Sequence, residues 1–304
     1  MRQVDGQVSR KQGAISALRR LWADKVAFAS ALFLLLVLFC TIAAPWISPH
    51  DPTKGNLVNR LKPPAWVNGG DPRFLLGTDQ QGRDVLSRMI WGGRVSLTVG
   101  FVVVGLAGAF GTLVGLVSGY LGKWVDLLIM RIVDVQSSFP GLLVALTFVM
   151  VLGPGQWNLI AALVFNGWMI HARMARSQVL SMRETTMVES ARAIGCTTFQ
   201  TLLCHILPNI ISPLITTYVL EMAHMIGAEA TMSFLGYGIQ PPQSSWGLMI
   251  GEGRVYITNA WWLVTFPGLA VALTILSLNL FGNWVRTEFD PLHRSRLATG
   301  RGQH

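Results

Sequence analysis

Long apolar runs dominate the pattern of this chain. Residues 26–44, 95–121 and 260–284 contain no Asp, Glu, Lys or Arg, and each is about as long as the ~20 residues a helix needs to cross a hydrocarbon core. Three further runs are interrupted by charge. Residues 124–153 contain Asp126, Arg131, Asp134 and then Phe139-Pro140-Gly141; residues 157–175 reach Arg173, with Arg176 just beyond; residues 210–235 enclose Glu221, His224 and Glu229. Buried elements of water-soluble domains are usually shorter than these runs. The expected fold is all-α: a polytopic membrane protein with about six transmembrane helices, at 26–44, 95–121, 124–153, 157–175, 210–235 and 260–284.

The third run admits two readings. Arg131 and Asp134, three apart, pair and so reduce the cost of charge in the membrane, about 2.5–3.5 kcal/mol per residue at its centre. Alternatively its first half lies along the interface and Pro140 bends or starts the span.

The connecting segments set the expected orientation. A basic tail, 1–25, carries Arg2, Arg10, Lys11, Arg19, Arg20 and Lys25 ahead of the first run, which is longer than a signal-peptide core. An even number of spans puts the tail 286–304, with Arg286, Arg294, Arg296 and Arg301, on the same side. By the positive-inside bias that side is cytoplasmic, together with 177–209. The loop 45–94, rich in Pro, Gly and Asp, is then external. Its own Lys and Arg run against this placement and are outweighed by the other loops.

Composition narrows the chemistry. Of 304 residues 51% are hydrophobic and 13% charged, the latter about half of the ~25% usual in soluble domains. The net charge of +9 is spread over tails and loops without a compact basic domain, so it reads as topogenic, and the lipid bilayer rather than nucleic acid is the expected environment. Cys40, Cys196 and Cys204 form neither a CxxC pair nor an even set, so no disulfide framework or zinc site is expected. The nearest approach to a phosphate-binding loop, Gly122-Lys123-Trp124, lacks its spacing and hydroxyl, and no protease or hydrolase motif occurs. The chain is expected to be no enzyme, to have no catalytic residue, and to bind no metal or cofactor itself.

Gly111, Gly115 and Gly119 recur every four residues in the second run, on one helix face, and predict a close helix–helix approach. Between the fourth and fifth runs the chain reads Met187-Val188-Glu189-Ser190-Ala191-Arg192-Ala193-Ile194-Gly195 and continues to His205-Ile206-Leu207-Pro208-Asn209. This predicts a short helix outside the membrane, stopped by Gly195, with Pro208 beginning the next element. Ser190 and Ala191 are small enough for a partner to come close, and Glu189 and Arg192 supply charge at the rim, a shape suited to docking in a groove. A helix that merely links two spans is the plainer alternative.

The segment resembles the cytoplasmic loop motif of ABC importer permeases: Glu-Ala-Ala, three residues, Gly, nine residues, then Ile-x-Leu-Pro. Glu189, Ala191, Gly195, Leu207 and Pro208 match in register, Ser190 stands for the first Ala and His205 for the Ile. Leu76-Gly77-Thr78-Asp79, Gly82-Arg83-Asp84, Ser87-Arg88, Gly93-Arg94-Val95-Ser96-Leu97, Glu229-Ala230, Ser233-Phe234-Leu235-Gly236, Pro241-Pro242 and Ser245-Trp246-Gly247 look like the second permease of dipeptide, oligopeptide and nickel importers. Gly282-Asn283 and Arg286-Thr287 depart from that family's Gly-Asp and Arg-Asp, while Asp290-Pro291 keeps its Asp-Pro.

The resemblance implies a type I ABC importer (MetI-like) permease fold in a bacterial inner membrane. It implies that Glu189, Ser190, Ala191, Arg192, Gly195, His205, Leu207 and Pro208 couple to an ATPase. It also implies the partners: a distinct sister permease, two ATPase subunits that bind ATP and Mg, and a periplasmic or lipid-anchored solute-binding protein that supplies most selectivity. The chain would then form half of a pathway for di- or oligopeptides or a related small solute. Glu221, His224 and Glu229 are the ionisable groups expected inside the bilayer, spread over about 140° of helix face. They either line that pathway or, for Glu221 and His224, pair with each other. A different class of function, a proton-coupled secondary transporter, would use the three as a relay without any ATPase, and a membrane scaffold would move no solute.

Overall fold

A computed structural model describes residues 19–289. The basic positions Arg2, Arg10 and Lys11, the motif pair Asp290-Pro291, and Arg294, Arg296 and Arg301 lie outside the described residues.

The first two long helices start after an aspartate that caps them. Helix α1, Lys25–Ile42, begins after Asp24, whose Oδ1 accepts from the backbone N–H groups of Val26 and Ala27 at 3.1 Å each. Helix α2, Val85–Leu121, begins after Asp84, whose carboxylate accepts from Ser87 N–H at 3.0 Å and Ser87 O–H at 2.6 Å. It stops at Gly122, which has φ +64°. Helix α2 thus starts ten residues before the expected span, and 85–94 belongs to it rather than to the loop.

Helices α3, Lys123–Ser137, and α4, Gly141–Leu152, meet at 85° across Pro140. Proline has no N–H to continue the ladder and pushes its predecessor out of the helical region. The bend is the second of the two readings of this run. Arg131 and Asp134 do not pair; Asp134 instead accepts from Arg173 at 3.0 Å, and Asp126 from Arg176 Nε at 2.5 Å.

Helix α5, Gln156–Met182, leads to the short α6, Thr186–Ala193. Helix α7, Leu207–Phe234, continues a helical turn at Thr198–Gln200 and a π-turn at Thr201–Ile206, so the chain is helical from 198 to 234. The wide turn falls directly before Pro208, which cannot donate to the carbonyl four residues back. The short α8, Trp246–Gly253, and the long α9, Trp262–Phe289, complete the described fold. Among the described residues no strand forms beyond a single bridge between Thr78 and Asp84.

Four of these helical stretches are long and apolar enough to cross a membrane: α1, α2, the 198–234 helix and α9; the bent pair α3–α4 makes a fifth. Helix α5 has the length, 27 residues, but Asn158, Asn166, His171, Arg173 and Arg176 dilute its hydrophobicity. It packs against α2 more extensively than any other pair of helices, which turns His171 into protein at 1% exposure. Among the described residues four to five segments are thus long and apolar enough to cross, against the six expected, and α5 is the helix that makes the difference.

The α2–α5 seam is built from the three glycines. A Cβ at Gly111 would strike the Trp168 carbonyl, one at Gly115 the Ala172 carbonyl, and one at Gly119 would lie 2.8 Å from Val179 Cβ. Backbones approach this closely only where no side chain intervenes. Gly115→Leu is therefore expected to lower the unfolding temperature of the purified protein, with about 1–3 kcal/mol lost to overpacking. Gly105→Leu, on the same helix with nothing within 4 Å, is expected to leave it unchanged.

Candidate functional site

At one side of the bundle, α6 is anchored by its buried Val188 and Ala191, with Val188 in one cluster with Leu202 and Ile206 of the π-turn segment. Its opposite face is open: Glu189, Ser190, Arg192 and Gly195 are exposed. Gly195, at φ +85°, ends the helix in a Schellman arrangement, with Cys196 N–H donating to Ala191 O and Gly195 N–H to Arg192 O, both at 3.0 Å. Arg192 stacks on Tyr120 near the end of α2, its guanidinium 4.9 Å from the ring centre. Arg183 Nη1 donates to Gly119 O at 3.3 Å, placing a cation at the carboxyl end of α2.

Ala191 departs from expectation. It faces the protein's own core, so its small size serves packing rather than a partner's approach. Ile194 and Phe199 are the large apolar side chains left exposed beside α6, a feature the motif alone did not single out. His205 and Leu207 are half-buried and Pro208 exposed where the chain enters α7, and His205 O accepts from Asn209 Nδ2 at 2.6 Å.

Midway along α7, Glu221 and His224 line a cleft of about 660 Å³ between α4, α5, α7 and α9, with Asn166, Thr231 and Asn279. Glu221 is 8% exposed; the His224 side chain is 81% exposed, its Nδ1 3.9 Å from Glu221 Oε1. Glu229 does not join them. It is fully buried, accepting from Ser96 O–H and Ser233 O–H at 2.8 Å each, and ties α7 to α2. Ser233 Oγ in turn accepts from Ile239 N–H at 3.1 Å.

At the opposite side from α6, the loop before α2 folds into a charged cage. Arg83 Nε and Arg88 Nη1 donate to Asp79 Oδ2 at 2.6 and 2.5 Å, and Arg88 Nη2 reaches Glu252 Oε2 of α8 at 2.8 Å. Asp79, Arg83 and Arg88 are at most 3% exposed. Ser244 O–H donates to Arg88 O, Trp246 Nε1–H to Met89 O, and Trp262 Nε1–H to Thr78 O. The signature stretches around Asp79, Arg88 and Trp246, far apart in sequence, are thus one structure. Glu252 had no place in the sequence reading, since its partners lie 164 and 169 residues away and nothing local marks it.

The remaining loop cations are also occupied. Lys62 and Arg73 pair with Asp71, at 3.0 and 2.7 Å, and Lys54 with Asp51 at 3.4 Å; Arg60 and Arg94 lie over Tyr256 and Trp91. Arg88→Ala would leave the buried Asp79, and Glu252, sharing Arg83 alone, at 2.6 and 3.2 Å. It is expected to cost about 3–5 kcal/mol of stability, seen as a lower unfolding temperature. Lys54→Ala, whose partner is open to solvent, is expected to change nothing measurable.

Residues 111–295 match the model of the family described as binding-protein-dependent transport system inner membrane component, and residues 15–64 match the N-terminal TM domain of oligopeptide transport permease C. The chain is 39% identical over 280 residues to the di/tripeptide transport system permease protein DppC of Pseudomonas aeruginosa, covering 91% of this chain and 92% of that one. It is 38% identical over 268 residues to the dipeptide transport system permease protein DppC of Haemophilus influenzae, covering 88% and 91%. Among solved structures, an inward-facing MetNI methionine ABC transporter aligns with a TM-score of 0.57 at 18% identity, covering 67% of this chain and 97% of that one. That likeness speaks to the fold alone.

Proposed function

The chain belongs to the family of binding-protein-dependent transport system inner membrane components, and on that footing we propose that it is one of two permease subunits of an ATP-driven importer of di- or oligopeptides. As a multi-pass membrane permease it is a transport component, not an enzyme. The reading of its cargo is supported by relatives named for dipeptides and di/tripeptides that align over most of both chains.

The observation that carries the coupling role is α6: a short helix standing clear of the bundle, anchored by one face and open on the other, in register with the family's loop motif. Its open face offers Glu189, Ser190 and Arg192 beside exposed Ile194 and Phe199, a mixture of charge and apolar area that suits a protein groove. Two ATPase subunits, which carry the ATP and Mg, take this helix and its counterpart on a distinct sister permease. When they close, the docked helices rock the two permeases and the pathway opens to the other side. A solute-binding protein delivers the cargo.

In this reading the side holding α6 is cytoplasmic, as are both termini, and the caged loop faces outward. The cage explains why a loop with so many Lys and Arg does not retain the cytoplasmic side: these cations are committed to carboxylates and rings. A proton relay through Glu221, His224 and Glu229 is disfavoured, because Glu229 is bonded to Ser96 and Ser233 away from the other two.

Glu189→Arg in the complete complex tests the coupling role. The sister permease is expected to remain associated, while peptide uptake falls at least about tenfold through loss of a charged docking contact. Undiminished uptake would remove Glu189 from the coupling contact.

A further inference from the structure

Glu221 is the one acid lining the cleft between α4, α5, α7 and α9. Its side chain is 10% exposed, and His224 of the same helix is the charged group paired with it, at 3.9 Å. That His224 ring projects into the open, its side chain 81% exposed, so the pair stands at the cleft surface. A carboxylate that faces a cleft within a membrane helix can take a cation arriving from that cleft. The same cleft presents two amides. Asn166 forms no hydrogen bond among the described residues, and Asn279 uses only Nδ2, donating to Ile275 O at 3.0 Å, so its Oδ1 stays available.

We propose that this cleft is a transit site for the peptide itself, in which Glu221 takes the α-ammonium group and Asn166 and Asn279 meet the peptide bond. The proposal rests on the pathway reading of the permease and adds the group recognised. The ammonium group is the one cation that every unmodified peptide carries, whatever its side chains. A carboxylate that receives it serves a broad range of sequences, whereas side-chain pockets would narrow it. The volume of about 660 Å³ lies within the ~300–1,000 Å³ range of small-ligand pockets and admits a di- or tripeptide. Leu142, Ala145 and Leu163 on the adjacent wall offer apolar contact without charge, so no fixed Lys or Arg of the cleft competes for the carboxylate. Because the contact is a single charge-assisted one, it holds the peptide loosely enough for release to follow.

The test uses the whole complex in proteoliposomes, with the sister permease, both ATPases and the solute-binding protein, and measures dipeptide moved per ATP hydrolysed. In Glu221→Gln the dipeptide transported per ATP is expected to fall about tenfold, the factor expected from one lost charge-assisted hydrogen bond. Glu221→Asp, which keeps the charge, is expected to retain most transport. Wild-type transport per ATP in Glu221→Gln would overturn the ammonium contact. A second measurement separates this from the underlying reading: Glu221→Cys, in a chain with Cys40, Cys196 and Cys204 replaced by Ser, is treated with a cationic thiol reagent. Labelling that slows when dipeptide is being transported supports a pathway position. A thiol that no catalytic state exposes would overturn the pathway reading as well.

Discussion

The close approach of α2 and α5 is the constraint on which the rest of the structure depends. A bilayer gives helices no hydrophobic reason to associate, so contact must come from dense packing of backbone on backbone. Gly111, Gly115 and Gly119 supply it by removing three side chains from one face of α2. Once the two helices are fixed along this seam, their ends are fixed too. The exit of α5 delivers α6 beside Tyr120 and Gly119, where Arg192 and Arg183 fasten it. The start of α2 presents Arg88 to the external-loop carboxylate Asp79 and to Glu252 of α8. Docking surface and outer cage are therefore opposite ends of one rigid pair.

Polar groups are sorted accordingly. Charges gather where water or other charges can complete them: the ion pairs of Asp126 with Arg176 and Asp134 with Arg173 lie toward the α6 side, and the Asp79 cage on the other. Within the span, Glu229 is completed by serine hydroxyls from α2 and α7. Glu221 differs: it faces a cleft and is paired with the exposed His224 at 3.9 Å.

Much of this was legible in the sequence because it depends on local rules. Glycines four apart declared a packing face, Gly195 declared a helix stop, and Pro140 declared the bend as one of two readings. What escaped depends on distance along the chain. Glu252 finds Arg83 and Arg88 only after α7 has crossed back, and no local pattern links them. Ala191 read as a surface residue because smallness suits both docking and packing, and only the position of the π-turn segment beneath it decides between the two. The pairing of Arg173 and Arg176 on α5 with Asp134 and Asp126 of α3 is a tertiary fact that no local pattern declares. So is the burial of Arg83 and Arg88 in ion pairs, which a count of Lys and Arg treats as free charge.

The most direct measurement of the central claim is uptake of a labelled dipeptide into proteoliposomes containing this chain, its sister permease, both ATPase subunits and the solute-binding protein. The account predicts uptake that requires ATP and the binding protein and that is indifferent to a proton gradient. Uptake driven by a proton gradient through the permeases alone, with ATP and the ATPases absent, would contradict it.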